Sequence, residues 1–127
     1  MSREELENKL KQLDTEDFIW LIYIGIIIMS WFANFKERDY FVNNNLESKE
    51  IYRNIMIIIF SILLVVYIYF LKESYNDVKN LKVTDSKKTK NLISLSFIGS
   101  LLIAISGVIF LYIAIMDEEL NVELAFN

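Results

Sequence analysis

The sequence predicts an all-α integral membrane protein with three transmembrane helices, an N-terminal amphipathic helix and a short C-terminal tail whose pattern suits a β-strand. Apolar residues make up 54% of the 127 residues and charged residues 24%. One chain can contain this much of both because the apolar and the charged residues lie in separate segments. Residues 18–35, 55–71 and 92–116 contain no Asp, Glu, Lys or Arg, so all charged side chains lie outside these three runs.

Each charge-free run is long enough to cross a lipid bilayer. A hydrocarbon core about 30 Å thick takes roughly 20 residues of α-helix. Helices are expected because a chain in lipid must satisfy its own backbone hydrogen bonds. A soluble bundle is the alternative, but the polar remainder of the chain is too short to cover three such helices. The first run is expected to remain as an anchor, because acidic residues precede it and no A-x-A cleavage site follows.

The residues before the first run have the pattern of a separate amphipathic helix. Ser2 and Glu5 form the sequence signature of a capping box. Three leucines follow at helical spacing: Leu6, Leu10 and Leu13. We therefore predict a cytoplasmic amphipathic helix over residues 1–17 that lies on the membrane surface, with Asp14 or Thr15 capping the first span.

The two connections between the spans differ in character. Asn44 or Asn45 is predicted to cap a helix that starts near Leu46 and continues through the second span. An apolar stripe extends this helix beyond the span: Leu71, Tyr75, Val78 and Leu81. With Asp85 or Ser86 capping the third helix, residues 72–91 are predicted to form a cytoplasmic helical hairpin.

The distribution of lysine and arginine predicts the orientation. Residues 1–17 and 72–91 together carry nine Lys and Arg side chains, whereas residues 36–54 carry four and residues 117–127 none. Because positively charged short segments stay in the cytoplasm, the N-terminus is predicted inside and the C-terminus outside.

The acidic tail over residues 117–127 has a pattern that fits two kinds of element. Apolar residues alternate with others from Leu120 to Asn127, which favours a strand that could pair with residues 39–42 or with a partner's sheet. Leu120 and Leu124 also share one helical face, so a helix is the alternative.

The third span contains small residues on one face. At 100° per residue they fall within a sector of about 160°. They are Ser96, Gly99, Ser100, Ala104, Ser106, Gly107 and Ala114. Small residues allow close helix approach in membranes, so this face is predicted to be a packing interface. A contact within the chain's own bundle and a contact with another subunit are equally favoured.

Polar residues in the first two spans occupy matching depths. They are Tyr23, Ser30 and Asn34 in the first, and Asn54, Ser61 and Tyr69 in the second. We predict hydrogen bonds between the helices, with a water path as the less favoured alternative.

Several function classes are disfavoured by what the sequence lacks. There is no Cys and no His, and no span contains an ionisable carboxylate or amine. We therefore expect no enzyme activity, no catalytic, cofactor or metal site, and no proton-coupled transport. A net charge of −4 disfavours binding to nucleic acid, which needs a basic surface. No motif in the sequence identifies a small-molecule substrate.

The remaining expectation is a small bacterial inner-membrane protein that acts by protein–protein interaction, as an accessory, regulatory or immunity-type subunit. The bacterial assignment comes from a composition typical of AT-rich genomes. The expected partners are membrane lipid and either another membrane protein or a second copy of the chain. The alternative is a homo-oligomeric pore or holin-like channel, although an acidic C-terminal tail is unlike the basic tail of three-span holins.

Overall fold

The computed structural model describes residues 1–124 and consists of three long α-helices. Helix α1 spans Arg3–Asn43, α2 spans Leu46–Lys79 and α3 spans Lys87–Met116. Each is long and apolar enough to cross a membrane. The prediction of an all-helical chain with three such helices is confirmed.

All three helix starts follow the local capping rules read from the sequence. The Ser2 side chain accepts a hydrogen bond from the Glu5 backbone N–H, and the Glu5 carboxylate accepts one from the Ser2 backbone N–H. The Asn45 side chain accepts from two backbone N–H groups in the first turn of α2. Ser86 accepts from the backbone of Thr89 at the start of α3. These bonds satisfy amide groups that a helix leaves free at its N-terminus.

The prediction of a separate N-terminal amphipathic helix is wrong, because α1 runs unbroken through residues 1–17 into the first charge-free run. Thr15 does not act as a cap. Its hydroxyl donates to the carbonyl of Lys11 one turn earlier, a bond that a threonine inside a helix can make. With no Gly or Pro before Gly25, nothing in the chain interrupts the helix.

Helix α2 is the centre of the fold and packs against both of its neighbours. Within the described residues, no Cα atom of α1 approaches a Cα atom of α3 within 8 Å. The core is built mainly on α2, with Ile26 and Ala33 added from α1 and Ala114 from α3. Its largest α2 members are almost fully buried: Tyr52, Met56, Ile59, Phe60 and Leu63. The space between α1 and α3, with α2 as its floor, is called the α1–α3 groove.

A single carboxylate organises the turn between α1 and α2. Asp39 accepts hydrogen bonds from the side chains of Asn43 at 2.6 Å, Asn45 at 2.8 Å and Ser48 at 2.5 Å. Asn44 ends α1 in the left-handed conformation with φ of 53°, which asparagine tolerates better than most residues. Asp39 therefore ties the last turn of α1 to the first turn of α2.

The segment after α3 folds back over the end of the bundle. The Asp117 carboxylate accepts hydrogen bonds from the backbone N–H groups of Asn121 and Val122, at 3.0 and 2.9 Å. This turn brings Leu120 against the core and buries Leu124 within it. Residues 117–124 thereby become part of the folded structure.

The predicted strand is absent over residues 117–124, and its predicted partner, residues 39–42, belongs to α1. The alternation of apolar residues is real, but Asp117 draws the following backbone N–H groups into a turn instead of leaving them for a sheet. The last part of the tail prediction, residues 125–127, lies outside the described residues.

Candidate functional site: the α1–α3 groove

The α1–α3 groove is closed at one end and open at the other. At the C-terminal end of the bundle, which contains the α1–α2 turn and residues 117–124, Leu120 and Leu124 pack against the core. At the N-terminal end, which contains residues 1–17 and 72–91, the groove widens into a cavity of about 330 Å³. All three helices contribute residues to its walls.

The walls of this cavity combine aromatic rings, hydroxyl groups and carboxylates. The aromatic side chains are Tyr23, Tyr67 and Phe70. The serines are Ser74, Ser96 and Ser100. The carboxylates are Glu73 and Asp77, one turn apart on α2. A mixed lining of this kind is typical of sites that orient a ligand through a few polar groups.

Three of the cavity hydroxyls are free to bind a ligand or water. Ser74 is engaged, because its Oγ donates to the carbonyl of Leu71 at 3.0 Å. Tyr23, Ser96 and Ser100 make no hydrogen bond to any residue that the structure describes. The cavity therefore offers donors and acceptors that the protein does not itself satisfy.

The cavity lining is acidic and contains no basic side chain. Glu73 is half-buried, Asp77 is exposed, and neither forms an ion pair with a described Lys or Arg. Lys9 and Lys11 line only a wider outer opening that shares Glu73 and Asp77 with the cavity. The cavity wall itself is therefore negatively charged, and basic side chains that the structure describes lie in the adjoining opening.

The structure divides the small-residue face of α3 into three parts. Ala104, Gly107 and Ala114 are buried, and Gly107 lies against α2, where a Cβ atom would stand 2.9 Å from Tyr67 Cδ2. Ser96 and Ser100 line the cavity. Gly99 lies on an open flank, where a Cβ atom would meet no described atom within 4 Å. Part of the predicted interface is therefore used inside the bundle, and part remains uncovered.

The predicted hydrogen bond between Ser30 and Ser61 does not form. Ser61 donates instead to the carbonyl of Ile57 in its own helix, at 2.7 Å. The Ser30 hydroxyl is buried and has no hydrogen-bond partner in the described part of the chain. A serine in a helix can always reach a carbonyl one turn back, so matching depth is not enough to pair two serines.

The other predicted polar pairs also differ from the structure. Asn34 and Asn54 are both exposed and share no hydrogen bond. Tyr69 does reach α1, but it interacts with the Thr15 side chain rather than with Tyr23. Tyr23 faces the cavity instead. Matching depth along the helices therefore did not predict which polar side chains meet.

Sequence reasoning missed a polar cluster at the C-terminal end of the bundle. Tyr52 is 3% exposed and its phenol is hydrogen-bonded to Glu37 of α1. Burial, followed by the carboxylates of Glu37, Glu123 and Asp117, raises the pKa of Tyr52 far above its ordinary value, so the phenol stays protonated. Tyr52 lies outside the charge-free runs, and no pattern in the sequence pairs it with Glu37.

Neither metal ligation nor a known relative explains the groove. Across residues 1–124 there is no group of three or more His, Cys, Asp or Glu side chains that could hold a metal ion. No family model, curated protein or solved structure matches this chain. The function is therefore argued from the geometry of the groove.

Proposed function

We propose that this chain is a multi-pass protein of a bacterial inner membrane and that it acts by binding another membrane protein along the α1–α3 groove. The observation that carries the proposal is the open flank of α3 at Gly99, beside a groove across which no described Cα atoms of α1 and α3 come within 8 Å. An accessory, regulatory or immunity-type subunit would use such a surface without performing chemistry of its own.

Membrane insertion is supported by what the helices expose. Large apolar side chains cover the outside of all three helices, including Ile28, Val65 and Ile109. Contact of so large an apolar surface with water is unfavourable, whereas contact with the hydrocarbon core of a bilayer is not. With nine basic residues at the N-terminal end of the bundle and four at the other end, we place the N-terminus in the cytoplasm and the C-terminus outside.

The Gly99 flank suits a partner helix because of how helices associate in lipid. Lipid tails are as apolar as leucine, so association depends on close packing and hydrogen bonds, both of which small residues permit. At 100° per residue, Gly99 lies about 40° from Ile103 and about 60° from Ser96, which line the cavity. A helix that packed on Gly99 would therefore lie along the mouth of the groove.

The test compares two glycines that are equally open in the free chain. Gly99→Leu adds a large side chain on the proposed interface, and Gly25→Leu adds the same side chain to α1, about 160° around that helix from the cavity residue Tyr23. Neither new Cβ meets a described atom within 4 Å. We expect Gly99→Leu to lose the co-purified partner while Gly25→Leu retains it. Retention of the partner at wild-type yield in both variants contradicts the proposal.

A homo-oligomeric pore is the second candidate, favoured by one observation. The buried Ser30 hydroxyl has no described partner and lies two turns along α1 from Tyr23, on the same face. Together with the free hydroxyls of Ser96 and Ser100, it would line water if copies assembled around the groove. Liposome flux that is abolished by Ser30→Leu and preserved by Ser94→Leu supports the pore, and an absence of flux at high protein density contradicts it.

A further inference from the structure

We propose that the cavity at the N-terminal end of the α1–α3 groove binds an amphiphilic organic ammonium cation. This goes beyond the protein contact proposed above, because it assigns the cavity a small-molecule ligand. The volume of about 330 Å³ lies at the lower end of the range for small-ligand pockets, about 300 to 1,000 Å³. Four features of the lining select this ligand class.

The first feature is charge without a counter-ion. Glu73 and Asp77 lie one turn apart on α2 and line the same cavity, and neither forms an ion pair within the described chain. Lys9 and Lys11 line the wider outer opening next to these carboxylates but do not line the cavity itself. An ammonium group held between the two carboxylates would be attracted by both, whereas an anionic ligand would be repelled by both.

The second feature is the aromatic wall. Tyr23 comes from α1, and Tyr67 and Phe70 come from α2, so rings from two helices border the cavity. The negative face of an aromatic ring attracts cations, and rings of this kind are used by proteins to recognise quaternary ammonium groups. The rings and the carboxylates therefore favour the same sign of charge by independent mechanisms.

The third feature is the part of the cavity wall that α3 supplies, which suits the rest of an amphiphile. Ile103 gives an apolar surface, and the free hydroxyls of Ser96 and Ser100 lie on the same helix. A ligand with an apolar body and a few polar atoms matches this lining. A small inorganic cation would leave these groups unused.

The fourth feature is the route of entry. Because no described Cα atoms of α1 and α3 lie within 8 Å of each other, the cavity opens between these helices as well as at the end of the bundle. In a membrane, that side opening faces lipid whenever no partner helix covers the mouth of the groove. The ligand would therefore enter from the bilayer, either as the ammonium headgroup of a lipid or as a free cation that partitions into the membrane.

The test uses a charged probe and an uncharged molecule of the same shape. Wild-type protein in a nonionic detergent is titrated calorimetrically with benzyltrimethylammonium, and neopentylbenzene serves as the neutral counterpart. We expect saturable binding of the charged probe only. Glu73→Gln and Asp77→Asn should each weaken its Kd about tenfold or more, whereas Glu47→Gln, an exposed site at the other end of α2, should leave it unchanged. Equal binding of both probes, or unchanged affinity in both cavity variants, overturns the proposal.

A second pair of variants keeps the carboxylates and fills the cavity. Ser96→Leu places a large side chain at the cavity, and Ser94→Leu makes the same change at an exposed position about 160° around α3. Loss of probe binding in Ser96→Leu alone supports the site, and binding that is retained in Ser96→Leu overturns it.

The source of the ligand is distinguished in nanodiscs. Protein in phosphatidylglycerol alone is compared with protein in phosphatidylglycerol mixed with phosphatidylethanolamine. Weaker probe binding in the mixture supports a site for a lipid ammonium headgroup. Unchanged probe binding in the mixture supports a site for a free cation.

Discussion

Gly107 of α3 lies directly against the ring of Tyr67 of α2, so close that a Cβ atom on residue 107 would stand 2.9 Å from Tyr67 Cδ2 and 3.4 Å from Leu64 Cδ1. This contact sets how near the two helices come. Gly99, two turns earlier on α3, has no such neighbour. The small-residue face of α3 therefore packs against α2 at Gly107 and is left open at Gly99.

Gly107→Ala and Gly99→Ala are expected to change stability in opposite directions. Forcing a methyl group against Tyr67 should cost about 1 to 3 kcal/mol, part of which is offset by the better helix propensity of alanine. Gly99→Ala gains that propensity, up to about 1 kcal/mol, without a clash. Unfolding by SDS in mixed micelles measures both. Equal effects of the two substitutions would show that the Gly107 contact does not set the packing of α2 against α3.

Asp39 is expected to make stability depend on acid pH. Hydrogen bonds from Ser48 first and then from Asn43 hold the pKa of Asp39 below its ordinary value. A carboxyl with a lowered pKa in the folded state stabilises the fold above its ordinary pKa of about 4, and this contribution is lost as pH falls through the lowered value. Asp39→Asn should therefore be less stable at neutral pH and should lose less stability below about pH 4.

The measurement is thermal unfolding followed by circular dichroism between pH 2 and pH 7. Asp14→Asn is the matched control, because Asp14 is exposed and makes no hydrogen bond within the described chain. Parallel pH profiles for the wild type and Asp39→Asn would contradict the role given to Asp39.

Leu124 is expected to fix the segment after α3 to the bundle. Its side chain is 7% exposed and belongs to the core. Leu124→Ala should cost about 2 kcal/mol, at the low end for core leucines, because a segment near the chain end can relax. Asp117→Ala should release the same segment by removing its two backbone hydrogen bonds. Hydrogen exchange measures this as lost protection of the Asn121 and Val122 amides; full protection in Asp117→Ala would contradict it.

The orientation across the membrane is testable with single cysteines, since the chain contains none. Val83 in the α2–α3 loop is 94% exposed and Asn121 is also exposed. We expect a membrane-impermeant maleimide to label Asn121→Cys in intact cells, and Val83→Cys only after permeabilisation. The reverse pattern would invert the proposed topology.

Local rules predicted the parts of the fold that depend on neighbouring residues. The caps at Ser2, Asn45 and Ser86 formed as expected because each needs only a side chain and the following turn of helix. The predicted helix break at Asp14 or Thr15 was wrong, because a residue type that often caps helices does not end a helix when nothing nearby interrupts it. The strand was wrong because Asp117 competes for the backbone of the tail.

The groove could be predicted only in part. The spacing of residues on α3 identified its small residues. Which of them pack inward depends on how α3 is rotated about its axis against α2, and only the structure shows this, through the contact of Gly107 with Tyr67. The sequence alone does not predict the cavity, because its lining residues come from three helices that are far apart in sequence. The sequence predicted an interhelical hydrogen bond for Tyr23 from its depth in the first span. It gave no prediction for Glu73, which lines the same cavity.

The mass of the native assembly reports whether the Gly99 flank contacts another protein. Wild-type protein and Gly99→Leu are extracted from their own membrane in lipid nanodiscs and weighed by native mass spectrometry. We expect a complex with a different membrane protein for the wild type and a lone chain for Gly99→Leu. A wild-type chain recovered alone, or a complex that persists in Gly99→Leu, would contradict it.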